Sequence, residues 1–441
     1  MSDIAEGGRS MTMYRLTNPI RHYAWGSRTH IAQLSGRDLG DGPAAEIWIG
    51  AHPADPSLVQ HPCGQAPHGQ RLDTLIAADP VRHLGAAVRT VFGDRLPFLL
   101  KLLAARDTLS LQVHPPGQWA RRRYAEQDAA GVPLTARERT YQDTSHKPEL
   151  LYALTRFEGM AGFRDTASSA AVLRGLSLDW LDPVADMLEY TRTPFQTLRD
   201  VVARWLAIRS RDAAGLLAEL RTACLRAEAS AHAQQPAGRP PTRLAHDVSR
   251  ESLRVYAAVP SLIDGYPEDP SVLVTLLLNH VVLAPGEAMF IGAGVIHAHT
   301  AGFGIEIMAA SDNVLRAGLT PKHVDIPELL ETASFTPMPT PHWAPSESGA
   351  EGDVLLAPPV EEFELHVLQL GGPDVRFVHR APRVVLCLEG TVRVVGELDC
   401  LVLARGESAF VSACQAPICV GGDGRAVVAQ TPTSLAAREP R

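Results

Sequence analysis

Cysteine is scarce in this chain and is spaced for neither a metal ribbon nor a disulfide framework. Six occur in 441 residues (Cys63, Cys224, Cys387, Cys400, Cys414 and Cys419), with no CxxC pair. That excludes a disulfide scaffold and points to a reduced, cytoplasmic protein. Basic charge is also short. Forty-one Lys and Arg stand against 49 Asp and Glu, a net charge of −8, so nucleic acid is excluded as a partner and any anionic ligand needs a local cationic cluster. Long apolar runs are missing too. The most apolar one, residues 272–278, stops at Asn279 and His280, far short of the ~20 residues of a membrane span. Residues 1–11 hold no apolar stretch of the signal-peptide kind. A soluble protein with no membrane partner is expected. What the chain has in plenty is apolar residues, at 45%, with 35 Gly and 34 Pro spread along its length. These can bury a large core and punctuate a turn-rich, β-dominated architecture.

Residues 14–115 read as short strands broken by turns, among them Ala45-Glu-Ile-Trp-Ile-Gly-Ala51, Pro56-Ser-Leu-Val59 and Leu96-Pro-Phe-Leu-Leu-Lys-Leu-Leu103. Between 165 and 260 the apolar residues recur at helical spacing instead, with Phe195, Leu198, Val202, Trp205 and Leu206 on one face and Leu216, Leu217, Leu220 and Cys224 on another. Residues 231–241 are poor in large apolar side chains and rich in Pro, which reads as a flexible connection. Strands return at Ser271, and residues 272–278 read as a buried strand. A polar, Pro-rich stretch over 335–345 reads as a domain connection, and strands at regular spacing from 360 to 430 predict a second small barrel. The expected fold is mainly β with a helical insertion. A tail covers 1–13, a first barrel 14–160 and 261–335, the helical insertion 161–260, a metal-free second barrel 346–432, and a tail 433–441.

Four segments carry groups capable of chemistry. In Leu109-Ser-Leu-Gln-Val-His-Pro115, Gln112 and His114 are two apart, so in a strand both leave the same face, as neighbouring metal ligands would. A hydrogen-bonded strand histidine is the plain alternative. His146-Lys-Pro-Glu149 packs an imidazole, an amine and a carboxylate around a rigid Pro, where a solvated charged loop is the rival reading. His297 and His299 follow a Gly-rich turn and also alternate. Ser311-Asp-Asn-Val-Leu-Arg-Ala-Gly-Leu-Thr-Pro-Lys322 places Arg316 between apolar neighbours, which a helix cap at Ser311 or Asp312 does not explain. Lys101 likewise interrupts an apolar strand, by snorkelling or by function.

Together with Tyr23-Ala-Trp-Gly26, Ala45-Glu-Ile-Trp-Ile-Gly50 and Gly162-Phe-Arg164, these segments resemble, in order, the type I phosphomannose isomerase (mannose-6-phosphate isomerase) family of the cupin superfamily. The resemblance implies two cupin (jelly-roll) barrels plus an α-helical domain. It implies one Zn²⁺ per chain on Gln112, His114, Glu149 and His297, and Arg316 as the active-site arginine, with Lys101, Lys147 and Glu306 lining the pocket. Two departures stand out: Ile296 replaces the family's Pro, and His299 replaces its Tyr, so His299 competes with His297 as a ligand candidate.

The implied reaction interconverts mannose 6-phosphate and fructose 6-phosphate by moving a proton between C1 and C2, and a cation beside the oxygens suits the enediol-like state. Lys147 and Glu306 are the candidate bases, and Asp312 a candidate for assisting ring opening. Lys101, Ser110 and Arg316 are the candidate substrate contacts. The partner is then a small sugar phosphate, and a monomer is expected. Two rivals use the same residues. His114, Glu149 and His297 match the two-histidine, one-carboxylate pattern of a cupin oxygenase, and a non-catalytic sugar-phosphate-binding cupin would need only the pocket.

Overall fold

The computed structural model describes residues 11–436 except 37, 61–68, 234–242, 347 and 398, and describes no side chains over 231–249. Contacts divide the chain into two units, one of residues 1–104, 304–310 and 343–441, the other of 105–303 and 311–342. Where the sequence joined 14–160 in one barrel, the contacts therefore group the first hundred residues with the C-terminal block.

The first unit is organised by its two longest partners, Arg383–Gly396 and Ile418–Gln430, antiparallel from Arg383↔Gln430 to Gly396↔Ile418. Glu364–Leu370 extends the sheet on one side and Ser408–Val411 on the other. The period of two is visible in the packing: Val385, Cys387, Val392 and Val394 share one core with Val420, Ala426 and Val428. Met13 closes that core from the N-terminal strand Met13–Thr17, in register with Val411. Residue 13 is thus fully buried strand rather than tail, while residues 1–10 lie outside the described residues. At the other end Thr433–Ala436 is helical.

Among the described residues no sheet closes on itself, so the expected barrels are open sheets. The ten-stranded path ends at Asp353–Leu356 and at Gln70–Arg71, which do not pair. An edge only two residues long leaves little ladder for another chain to join.

The C-terminal block folds around a buried polar chain. Arg383, fully buried, donates through Nε to Gln430 Oε1 at 2.7 Å, and Gln430 Nε2 donates to Glu364 Oε1 at 2.7 Å. His366 lies between two carboxylates, with Nδ1 2.9 Å from Asp353 Oδ2 and Nε2 3.5 Å from Glu364 Oε1. Burial pulls its pKa down, but hydrogen bonds and charge from Asp353 and Glu364 outweigh that and leave it above the usual value of 6.5. A raised pKa contributes stability that is full below pH 6.5 and is lost as pH climbs through the folded value. Burial alone would raise Glu364, yet His366 and Gln430 hold it below 4.5. Its share is therefore present above pH 4.5 and lost on acidification. The melting-temperature gap between wild type and His366→Gln is expected to be widest between these limits, reflecting ~1.5–3 kcal/mol for a charge-assisted bond, and to shrink as pH rises above 6.5 through the raised folded value. A gap that grows with rising pH contradicts the assignment.

The second unit holds the helices Thr166–Gly175, Asp182–Glu189, Pro194–Leu206, Ser210–Ala233 and Arg243–Gly265, as the helical spacing predicts. Leu198, Val202, Trp205, Leu206, Leu217, Leu220 and Cys224 share their core, whereas Phe195 is exposed and Leu216 only half-buried. The connection expected over 231–241 lies mostly outside the described residues. Residues 272–278 are a correction. Ser271–Thr275 is a helical turn, and the strand Leu278–Leu283 begins only after it. A run buried on every side carries no period to separate helix from strand. Short helices inside the stretch read as strands, such as Leu72–Ala78 and Ala86–Phe92, are missed for the same want of length.

Candidate metal centre

Strand Leu111–Val113 of the second unit pairs on both sides. Gln112 stands in register with His297 on one neighbour and with Arg316 on the other. Side chains directly opposite share a face, and His114, two residues on, leaves that face as well. The turn before His297 is pinned to this strand: Gly294, at φ +80°, donates its N–H to the His114 carbonyl at 2.7 Å. A side chain there would be strained. Glu149 enters from the start of strand Glu149–Ala153, whose register runs Glu149↔Ile291 to Tyr152↔Ala288.

These elements converge three ligand atoms. Glu149 Oε1 is 3.1 Å from His114 Nε2, and Glu149 Oε2 is 3.3 Å from His297 Nε2. Both rings are fully buried. Each histidine donates its Nδ1–H to a main-chain carbonyl, His114 to Asn313 at 2.8 Å and His297 to Val295 at 2.9 Å. That leaves the Nε2 lone pairs facing the carboxylate. Among the described residues, neither Nε2, nor Glu149 Oε2, has a hydrogen-bond partner. Three buried, unsatisfied acceptors aimed at one point would be costly by themselves; a cation at that point satisfies all three.

The electrostatics agree. Burial, helped by the nearby Lys147 cation, pushes His114 down to about 4, so its ring is neutral and able to ligate. Burial would raise Glu149, but Lys147 and His114 outweigh it and hold the carboxyl well below its usual range. Lys147 Nζ lies 3.0 Å from Glu149 Oε1. Two imidazoles, that of His114 held neutral, with an ionised carboxylate are a donor set that suits zinc, with room for a further ligand. His299 is buried and packs edge-on against Phe157, ring centroids 5.4 Å apart. His297, rather than His299, meets His114 and Glu149 in this group.

Arg316 is half-buried and makes no hydrogen bond or ion pair among the described residues; burial lowers its pKa. Lys322 has its pKa lowered chiefly by the Arg316 charge. The two cations are close enough for one to be felt by the other. Asp312 is an exposed loop residue whose N–H donates to Asp143 Oδ2 at 2.8 Å. In the first unit, Lys101 is buried with Nζ 3.0 Å from Glu306 Oε2 and 3.7 Å from Glu46 Oε1, and lies over the Trp48 ring. Its charge is thus matched by two carboxylates. Sequence reasoning gave no role to Glu46, Asp143, Asn313 or Lys322. Of these, only Asn313 and Lys322 stood inside a segment already marked by its polar content.

The chain matches the family model of the phosphomannose isomerase type I catalytic domain over residues 13–166. It is 36% identical to the mannose-6-phosphate isomerases of Shigella flexneri and Escherichia coli (strain K12), over 94% of this chain and 98% of theirs. The chain belongs to the mannose-6-phosphate isomerase family. A solved mannose 6-phosphate isomerase bound with zinc and yttrium aligns with a TM-score of 0.80 at 32% identity, covering 96% of this chain and all of that one. The mainly β architecture with helices is therefore that of the mannose-6-phosphate isomerases. No helix of the described residues is long and apolar enough to cross a membrane.

Proposed function

We propose that this chain is a zinc-dependent aldose–ketose isomerase that interconverts mannose 6-phosphate and fructose 6-phosphate. The observation that carries the reading is the buried His114, Glu149 and His297 group with its three unsatisfied ligand atoms, in a chain similar over nearly its whole length to enzymes of that name. Gln112, opposite His297, is the fourth protein ligand in this reading. Bound zinc supplies positive charge beside the C1 and C2 oxygens, where negative charge develops during proton transfer.

The chain's own groups do the rest. Arg316 stays protonated at any working pH and, with Lys322 beside it, offers two cations to the phosphate dianion or to the developing enediolate. Lys147, in contact with Glu149, is the candidate base for the transfer between C1 and C2; it takes the proton as the neutral amine, a form that a zinc charge nearby would favour. Glu306 is the alternative, and its carboxylate is already engaged by Lys101. Lys101 accordingly enters the reading as the partner of Glu306 and Glu46 more than as a phosphate contact. Ser110, beside the ligand strand, remains a substrate contact, and Asp312 a group for ring opening. The enzyme acts as a cytoplasmic monomer on a small sugar phosphate.

Gln112 also weighs against the oxygenase alternative, because a fourth protein ligand fills a position that dioxygen would need. Purified protein incubated with fructose 6-phosphate under nitrogen is expected to form mannose 6-phosphate, read by enzymatic or NMR assay. An oxygenase or a binding-only cupin forms none under those conditions.

A further inference from the structure

Asn313 is fully buried and does not behave as a local turn residue. Its Oδ1 accepts from the main-chain N–H of Gln142 at 2.8 Å and of Asp143 at 3.2 Å. Its Nδ2 donates to the carbonyls of Asp143 and Ser145, both at 2.8 Å. One amide therefore satisfies four main-chain groups of a loop about 170 residues away in sequence. Asp143 returns the grip. Its Oδ1 accepts from the N–H of Ser145 at 2.8 Å and from Ser311 Oγ at 2.9 Å, and its Oδ2 accepts from the N–H of Asp312 at 2.8 Å.

Both ends of this lacing reach the metal centre. The Asn313 carbonyl receives the His114 Nδ1–H, which sets the ring's tautomer and aim. The laced loop, residues 142–145, runs directly into Lys147 and Glu149. Two residues after Asn313, Leu315 and Arg316 enter their pairing with Val113 and Gln112.

We infer that Asn313 and Asp143 are positioning residues for the metal centre: the Asn313 side chain holds the His114 segment and the Glu149 segment at the separation a single ion requires. The inference rests on the proposed ligation by His114 and Glu149. It does not reduce to the His114 hydrogen bond, because that bond comes from the Asn313 main chain, which every substitution retains. Removing the side chain strips five hydrogen bonds, four to main-chain groups and one to Asp143 Oδ1, frees the two ligand segments to drift apart, and leaves the backbone acceptor in place. Ligand-supporting contacts of this kind are typically worth ~10–100-fold in metal affinity.

The test is zinc affinity of the full chain, measured by competition with a chromophoric chelator near neutral pH, with circular dichroism and melting of the metal-free protein as controls on folding. Asn313→Ala is expected to bind zinc ~10–100-fold more weakly than wild type. Asp143→Asn keeps the side chain's shape but exchanges one acceptor oxygen for a donor, so a smaller loss in the same direction is expected. A merely structural lacing would lower the melting temperature of the metal-free protein and leave the affinity of the folded fraction unchanged. His114→Ala is measured alongside. Zinc retained at wild-type affinity by His114→Ala overturns the ligand reading itself. Zinc lost by His114→Ala yet held at wild-type affinity by folded Asn313→Ala and Asp143→Asn overturns the positioning inference alone. Should Asn313→Ala not fold, Asp143→Asn decides by the same criterion.

Discussion

His297→Ala is expected to emerge from dialysis without zinc and with kcat/KM reduced by ~10³-fold or more, the equivalent of ~4 kcal/mol of transition-state stabilisation. The size follows from the burial of the group. Glu149 is ionised in a site where both imidazoles are fully inaccessible, and the lost Nε2 removes one of three convergent ligand atoms. His114 and Glu149, 3.1 Å apart, are then left with only the neutral Gln112 amide to complete the set, a weaker donor than the lost imidazole. His299→Ala is the informative companion. Its ring packs on Phe157, and although its ligand atom lies within 4.8 Å of that of Glu149, it does not join the group formed with His114 and His297, so zinc retention with a modest change in activity is expected. The reverse pattern, in which His299→Ala loses the ion and His297→Ala keeps it, would move the ligand assignment two residues along the strand. A metal-free wild-type enzyme of full activity would remove zinc from the mechanism altogether.

The candidate ligand group was legible in the sequence for a simple reason. Gln112 and His114 share a strand face by the two-residue period, and the family resemblance brings Glu149 and His297 to them; the structure then puts Gln112 opposite His297 and joins His114, Glu149 and His297. The strands of the C-terminal block were legible because their faces alternate, as Val385, Cys387, Val392 and Val394 do. What stayed hidden has physical reasons as well. Residues 272–278 are apolar on every side, and periodicity is silent where both faces are buried. Lys101 reads as a lone cation in a strand, while its partners Glu46 and Glu306 come from segments far off in sequence. Asp143 sits in a polar loop of ordinary composition; only the fold shows that its carboxylate accepts from Ser145, Ser311 and Asp312. Short-range pattern reports which face a side chain takes. It does not report which distant backbone that side chain will satisfy.

Arg316→Ala is expected to lower kcat/KM by ~10- to 150-fold, the cost of one charge-assisted hydrogen bond at ~1.5–3 kcal/mol, and Arg316→Lys should fall well short of wild type although the charge is kept. The guanidinium is half-buried without a partner among the described residues, so its desolvation goes uncompensated until an anion arrives. Its strand fixes it directly opposite Gln112, on the face from which the ligand side chains project. A planar fork held there can grip two oxygens at once, which an ammonium on a flexible stem cannot reproduce. The division between constants tells which oxygens are gripped. A phosphate contact made equally in ground and transition states raises KM and spares kcat, whereas a contact to the enediolate lowers kcat. Lys322 sharpens the choice, because its pKa is lowered first by the Arg316 charge. An anion bridging the two relieves both cations at once. Lys322→Ala is therefore expected to shift KM in the same direction as Arg316→Ala if the pair holds phosphate, and to leave KM alone if Arg316 faces the reacting carbons. Wild-type kcat/KM in either Arg316→Lys or Arg316→Ala would remove the arginine from the mechanism.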